Sequence, residues 1–79
     1  MDPKVVRFCQ MLDVPATADS FRDRGAYNAV ESLLKQYSAS RSEDYIWRLC
    51  RYLSSVPEFP SSQLERYKKL LAHYKSIYP

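Results

Sequence analysis

Seventy-nine residues make one small domain, and a chain of that size buries only about 60% of the surface its unfolded form exposes. A single glycine excludes a mainly β protein built on many tight turns, and seven tyrosines on amphipathic segments argue against disorder. The formal charge of +3 sits in the second half, since residues 1–40 carry five basic and five acidic side chains and residues 41–79 carry seven and four. An acidic partner would be drawn to that half; a solvated face that serves solubility is the alternative.

In chain order, Asp2 before Pro3 reads as an N-cap with proline in the first turn. Val5, Phe8, Cys9 and Leu12 follow at i, i+3, i+4 and i+7, the buried stripe of a helix over residues 3–12. Val14-Pro15 interrupts it, because the residue before a proline is pushed out of the helical region. A second helix is expected from about Pro15 or Thr17 to Arg24, with Ala18 and Phe21 inward and Gly25 closing it in a left-handed conformation. The third runs over about Tyr27–Ser38. Ser38-Ala39-Ser40 is a polar connection, with Ser40 and Glu43 at capping-box spacing and Ser42 an equally good N-cap. The fourth helix continues to about Leu53–Ser55 and buries Ile46, Leu49, Cys50 and Leu53. Pro57 and Pro60 bracket a loop whose Phe59 is expected to tuck back onto the helices. Ser62 and Glu65 match a second capping box that opens the last helix. The fold class is all-α, a small bundle of about five antiparallel helices.

Two stretches echo one another. YNAVESLLKQY at Tyr27–Tyr37 returns as LERYKKLLAHY at Leu64–Tyr74. Tyr27, Val30, Leu34 and Tyr37 answer Leu64, Tyr67, Leu71 and Tyr74, in both cases on one face of a 3.6-residue period. The offset of about 37 residues suits a helical-hairpin repeat. Such scaffolds usually present a surface to a partner and carry no reaction of their own.

The order Ala18, Phe21, Gly25, Tyr27, Val30 and Leu34 resembles a tetratricopeptide unit, with Ile46, Leu49, Cys50, Leu53, Leu64, Tyr67, Leu71 and the closing Pro79 as a second. The resemblance implies one domain over 1–79: an N-terminal helix over 3–12, then divergent helical-hairpin units over 15–38 and 42–79. Pro15, the large residues Tyr37 and Tyr74, and the long connection around Pro57 and Pro60 depart from the family pattern. Ala18–Tyr37 followed by Asp44-Tyr45-Ile46-Trp47-Arg48-Leu49-Cys50-Arg51 is most similar to the regulator of microtubule dynamics family, divergent tetratricopeptide proteins with a similar Trp-Arg-Leu stretch. Cys50 stands where alanine is expected.

The inventory does not suit an enzyme. His73 is the sole histidine, and one glycine cannot build a phosphate-binding loop. Cys9 and Cys50 are too far apart for a metal motif and fall on apolar stripes, as buried free thiols do. No catalytic residue, metal ligand or cofactor is expected. No segment approaches the ~20 apolar residues of a membrane span, and Met1–Leu12 carries Asp2, Lys4 and Arg7 in place of a signal peptide's apolar run. A cytoplasmic setting is the default.

Binding is better supported. With Ile46, Leu49, Cys50 and Leu53 inward, Trp47 and Arg51 share another face at i and i+4, beside Arg48 and just after Arg41. By resemblance, first helices line a concave groove, so Trp47 and Arg51 would meet a ligand there; packing of Trp47 on a neighbouring helix or the Phe59 loop is the other outcome. Arg66, Lys68, Lys69 and Lys75 form a second basic set on the last helix. These residues predict a protein-interaction module for an acidic or extended segment, with microtubules and their acidic tubulin tails as the partner the resemblance implies. A small basic nucleic-acid-binding domain with stacking tyrosines and a structural homo-oligomer joined through Val5, Phe8, Cys9 and Leu12 or through an unpaired end face are the alternatives.

Overall fold

The computed structural model of the chain describes residues 1–78, and these form four α-helices and one 3-10 turn. Pro79, read above as the close of the second unit, lies outside the described residues.

Helix α1 spans Pro3–Leu12. The Asp2 carboxylate accepts from the Lys4 backbone N–H at 2.8 Å, which satisfies one of the first-turn donors that a helix leaves unpaired. Val5, Phe8, Cys9 and Leu12 are all buried. Asp13 ends the helix with a left-handed backbone, φ 59°, and the Val14 N–H returns to the Cys9 carbonyl at 3.1 Å.

The expected second helix is reduced to the 3-10 turn Ala18–Phe21. Local side-chain bonds compete with helix here: Thr17 and Ser20 hydroxyls lie 3.0 Å apart and Arg22 Nε donates to Asp19 at 2.9 Å. Phe21 is nonetheless fully buried, as expected of its position. Asp23 then caps α2, Arg24–Tyr37, by accepting from the Ala26 N–H at 3.2 Å. Gly25 therefore lies in the first turn of α2, not at the end of a preceding helix, and its φ is not positive. A Cβ there would stand 3.2 Å from the Asp23 capping oxygen, so glycine gives the cap its room.

Helix α3, Ala39–Ser54, follows α2 after one residue. Ser38 turns the chain at φ 81°, ψ 131°, a region nearly reserved for glycine. The expected caps at Ser40 and Ser42 are not used. Ser38 caps α3 through a long 3.5 Å bond from the Arg41 N–H, and Ser42 is fully buried with its hydroxyl donating to the Ser38 carbonyl at 2.9 Å. Helix α4 spans Ser61–Ile77 after Pro60. Its Ser62–Glu65 box does not form, because Ser62 is already inside the helix; Glu65 faces Lys68 at 3.6 Å instead.

The antiparallel neighbours α2 and α3 form the centre, and α1 and α4 each pack on both of them. Helices α2 and α4 run parallel: Gln63 reaches Arg22, Tyr27 lies against Tyr67, and Tyr74 reaches Glu31. The two echoing stretches thus lie side by side. Val30, Leu34, Tyr67 and Leu71 are buried as equivalents, but the equivalence stops at the last position. Tyr37 is 37% exposed beneath Arg41, while Tyr74 is 7% exposed and donates to Glu31 at 2.8 Å. Phe59 does tuck onto the helices, with the Arg22 guanidinium 5.2 Å from its ring centre.

Helix α1 is also tied to α3 by charge. Lys4 Nζ donates to Asp44 at 2.9 Å, and Arg48 donates to Asp44 at 3.0 Å and to Asp2 at 2.7 Å. The Arg48 guanidinium and the Lys4 backbone N–H hold Asp2 below the usual carboxylate range; Lys4 and then Arg48 do the same for Asp44. Depressed carboxylates contribute stability above their unfolded value, near 3.8, and lose it as pH falls through their lower folded values. Thermal unfolding followed between about pH 2 and pH 6 is therefore expected to show a loss of stability below about pH 4 that is smaller in Arg48→Gln. A second test concerns the turn. Ser38→Gly is expected to leave stability unchanged or raise it by up to about 1 kcal/mol, and Ser38→Val to lower it by about 1–3 kcal/mol in urea unfolding.

Candidate functional site

Helices α3 and α4 are antiparallel. Lys75 Nζ donates to Glu43 at 2.8 Å near one end, and Leu64 stands beside Cys50 and Ser54 near the other. The buried side of α3 is the expected one: Ile46, Leu49, Cys50 and Leu53 are all buried. That register turns Trp47 outward by roughly one residue's rotation, about 100°, onto the seam with α4. Trp47 is 47% exposed. It forms the shared wall of two depressions, one of about 450 Å³ running along Leu71, Ala72 and Lys75, the other of about 320 Å³ running along Cys50, Arg51 and Leu64. Together they make one groove with an apolar floor and charged rims.

Lys68 Nζ stands 5.9 Å from the centre of the Trp47 rings. A cation over an indole face at an exposed site is worth about 0.5–1 kcal/mol, enough to favour one tryptophan orientation without fixing it. Glu43 is held below the usual carboxylate range by its hydrogen bond from Lys75, so the rim carries a formed ion pair at neutral pH. Of the rim cations, Arg51 has no carboxylate within ion-pair distance among the described residues.

The residues singled out in the sequence divide. Trp47, Arg51, Lys68 and Lys75 meet at the groove. Arg48 does not: it turns to α1 and is spent on Asp2 and Asp44. Arg41 lies over Tyr37, Lys69 is exposed on the outer side of α4, and Arg66 stands on its other flank beside Arg24, Tyr27 and Gln63. The acidic rim residue Glu43 was not foreseen; its spacing of four from Trp47 on one helix face was the available signal.

Burial shapes the remaining reactive groups. Cys50 is pushed up to about 11 by desolvation, and Cys9 is raised for the same reason. Burial likewise raises Tyr67, whose hydroxyl donates to the Phe21 carbonyl at 3.3 Å, and the acceptor Glu31 raises Tyr74. His73 is exposed, edge-on to Tyr74. Among the described residues, no group of three or more His, Cys, Asp or Glu is placed to hold a metal ion, and no helix is long and apolar enough to cross a membrane. No protein-family model, curated protein or solved structure matches the chain.

Because Trp47 is the sole tryptophan, its fluorescence reads the groove directly. Acrylamide is expected to quench the native protein at roughly half the rate of the urea-unfolded chain, following its fractional exposure. Lys68→Ala should raise the native rate, and a native rate near zero would place the ring in the core.

Proposed function

We propose that the chain is a protein-interaction module that holds an extended acidic segment of a partner along the α3–α4 groove, and that it performs no reaction of its own. The observation that carries this reading is the half-exposed Trp47 on an apolar floor, rimmed by Arg51, Lys68 and Lys75. Tryptophan and arginine at the centre of a surface depression are the side chains most often responsible for binding energy. Rim cations add salt-sensitive attraction for a partner of opposite charge. Carboxylates of the bound segment would compete with Glu43 for Lys75 and with Glu65 for Lys68, and they would give Arg51 the partner it lacks.

The scaffold reading is a short, divergent helical-hairpin array. Its support is the pattern of packing: α2 and α4 run parallel side by side, and α1 and α4 flank the α2–α3 pair. In that reading α1, not the stretch after Pro15, supplies the helix that pairs with α2. The nucleic-acid alternative is weakened by the scatter of the cations unpaired among the described residues: Arg24 and Arg66 stand at the α2–α4 seam, Arg51 at the α3–α4 groove and Arg41 over Tyr37. A phosphate-tracking surface needs its cations along one continuous face.

The resemblance of the Asp44–Arg51 stretch to that of regulators of microtubule dynamics, a reading of the residues alone, makes the acidic tails of tubulin the first partner to try. Co-pelleting with stabilised microtubules should be salt-sensitive and lost when the tails are removed. Trp47→Ala should weaken binding by at least about 2 kcal/mol, roughly 30-fold, with helical content unchanged because the side chain is not part of the core. Wild-type affinity in a folded Trp47→Ala variant would overturn the groove assignment.

A further inference from the structure

A further depression lies outside the groove. It lies on the opposite flank of α4, where the parallel run of α2 and α4 brings their first turns together. Asp23, Arg24, Tyr27, Gln63 and Arg66 wall about 300 Å³. Arg24 and Arg66 are exposed, and neither has a carboxylate within ion-pair distance among the described residues. Arg24 is the first residue of α2, where a cation is electrostatically disfavoured and an added anion brings relief. The remaining walls are held in place. Gln63 donates its amide N–H to the Arg22 carbonyl at 2.8 Å, the Tyr27 ring lies 6.0 Å from that of Tyr67, and Asp23 uses one carboxylate oxygen to cap α2.

The charges select the ligand. Two guanidiniums and one carboxylate give the walls a net charge of +1, which complements a monoanion. A phosphate dianion would pair with the arginines but would also face Asp23. A carboxylate matches the guanidinium fork in two parallel hydrogen bonds. An N–H group next to that carboxylate would give Asp23 a donor for its second oxygen. The C-terminal residue of a peptide chain carries both groups, a carboxylate and its own amide N–H, within one residue. We propose that this pocket binds the C-terminal carboxylate of a peptide, with Arg24 and Arg66 on the carboxylate and Asp23 on the adjacent N–H. The inference stands apart from the α3–α4 groove, which lies across α4 and uses none of these side chains.

The test is an NMR titration of the full chain, in low-chloride buffer, with N-acetyl-diglycine bearing a free C-terminus, with its C-terminal amide, and with inorganic phosphate. The free acid is expected to shift the backbone amides of residues 23–27 and 63–67 saturably, in the millimolar range typical of a small ligand. The amide should bind at least about tenfold more weakly, since it lacks the charge that makes the guanidinium bonds strong. Arg24→Gln and Arg66→Gln should each cost about tenfold with the fold intact, whereas Arg7→Gln, an equal change in charge on exposed α1 surface, should change nothing. Asp23→Asn keeps a capping side chain and should shift the preference toward phosphate. Equal binding of acid and amide, tighter binding of phosphate by the wild-type chain, or shifts that never saturate would each overturn the proposal.

Discussion

A single residue, Ser38, separates the two central helices. With only one residue between α2 and α3, their crossing is set by backbone geometry before any side chain contributes. The conformation that permits it is one that L-residues avoid, so something must hold it. Ser42 does so from below, its buried hydroxyl donating to the Ser38 carbonyl, and Ala39 beside it is fully buried. The α2–α3 pair then presents two flanks. Helix α1 covers one with Val5, Phe8, Cys9 and Leu12, and α4 covers the other with Tyr67, Leu70, Leu71 and Tyr74. Both surface depressions with a chemical character arise along α4, one at its seam with α3 and one at its seam with α2.

The aromatic residues set the spacing of these layers. Phe8 stacks on Tyr45 with centroids 5.6 Å apart, and Phe21 meets Tyr67 edge-on at 6.2 Å. The 3-10 turn is thus anchored to α4, although it is too short to be a helix in its own right. Tyr67 illustrates how a polar tip is accommodated in such a core. Its ring is fully buried and its hydroxyl finds the Phe21 carbonyl, so no buried side-chain polar atom among the described residues is left without a partner. An unmatched phenol in that position would cost about 1–3 kcal/mol, a large share of what a domain of this size can hold in reserve.

Much of this was legible in the chain. The apolar stripe of α1, the inward set of α3 and the buried Phe59 all follow from periodicity and local backbone rules, and all are present; the end of α1 before Pro15 was also legible, although the left-handed Asp13 makes the turn. The errors cluster at helix ends. Ser40 and Ser42 each offered a correctly spaced cap for α3, and periodicity has no means of ranking them against Ser38, which caps the helix from a positive φ; Ser62 lies inside α4, whose first turn has no side-chain cap. The helix expected after Pro15 failed because Thr17, Ser20, Asp19 and Arg22 satisfy one another locally. At the candidate site, the outward face of Trp47 was readable from the inward positions of its neighbours. The diversion of Arg48 was not, because it depends on Asp2, forty-six residues away. The Arg24–Arg66 pocket was invisible for the same reason, since only the parallel placement of α2 and α4 brings its two halves together.

The two buried thiols have a kinetic consequence. With Cys50 pushed up to about 11, the thiolate fraction at neutral pH is on the order of one in ten thousand. Oxidants and alkylating reagents react with the thiolate, so burial slows their attack on Cys50 in the folded chain. Fluctuations that expose α1 or the seam of α3 to water raise that rate, and modification of the two thiols then reports in part how often the helices part.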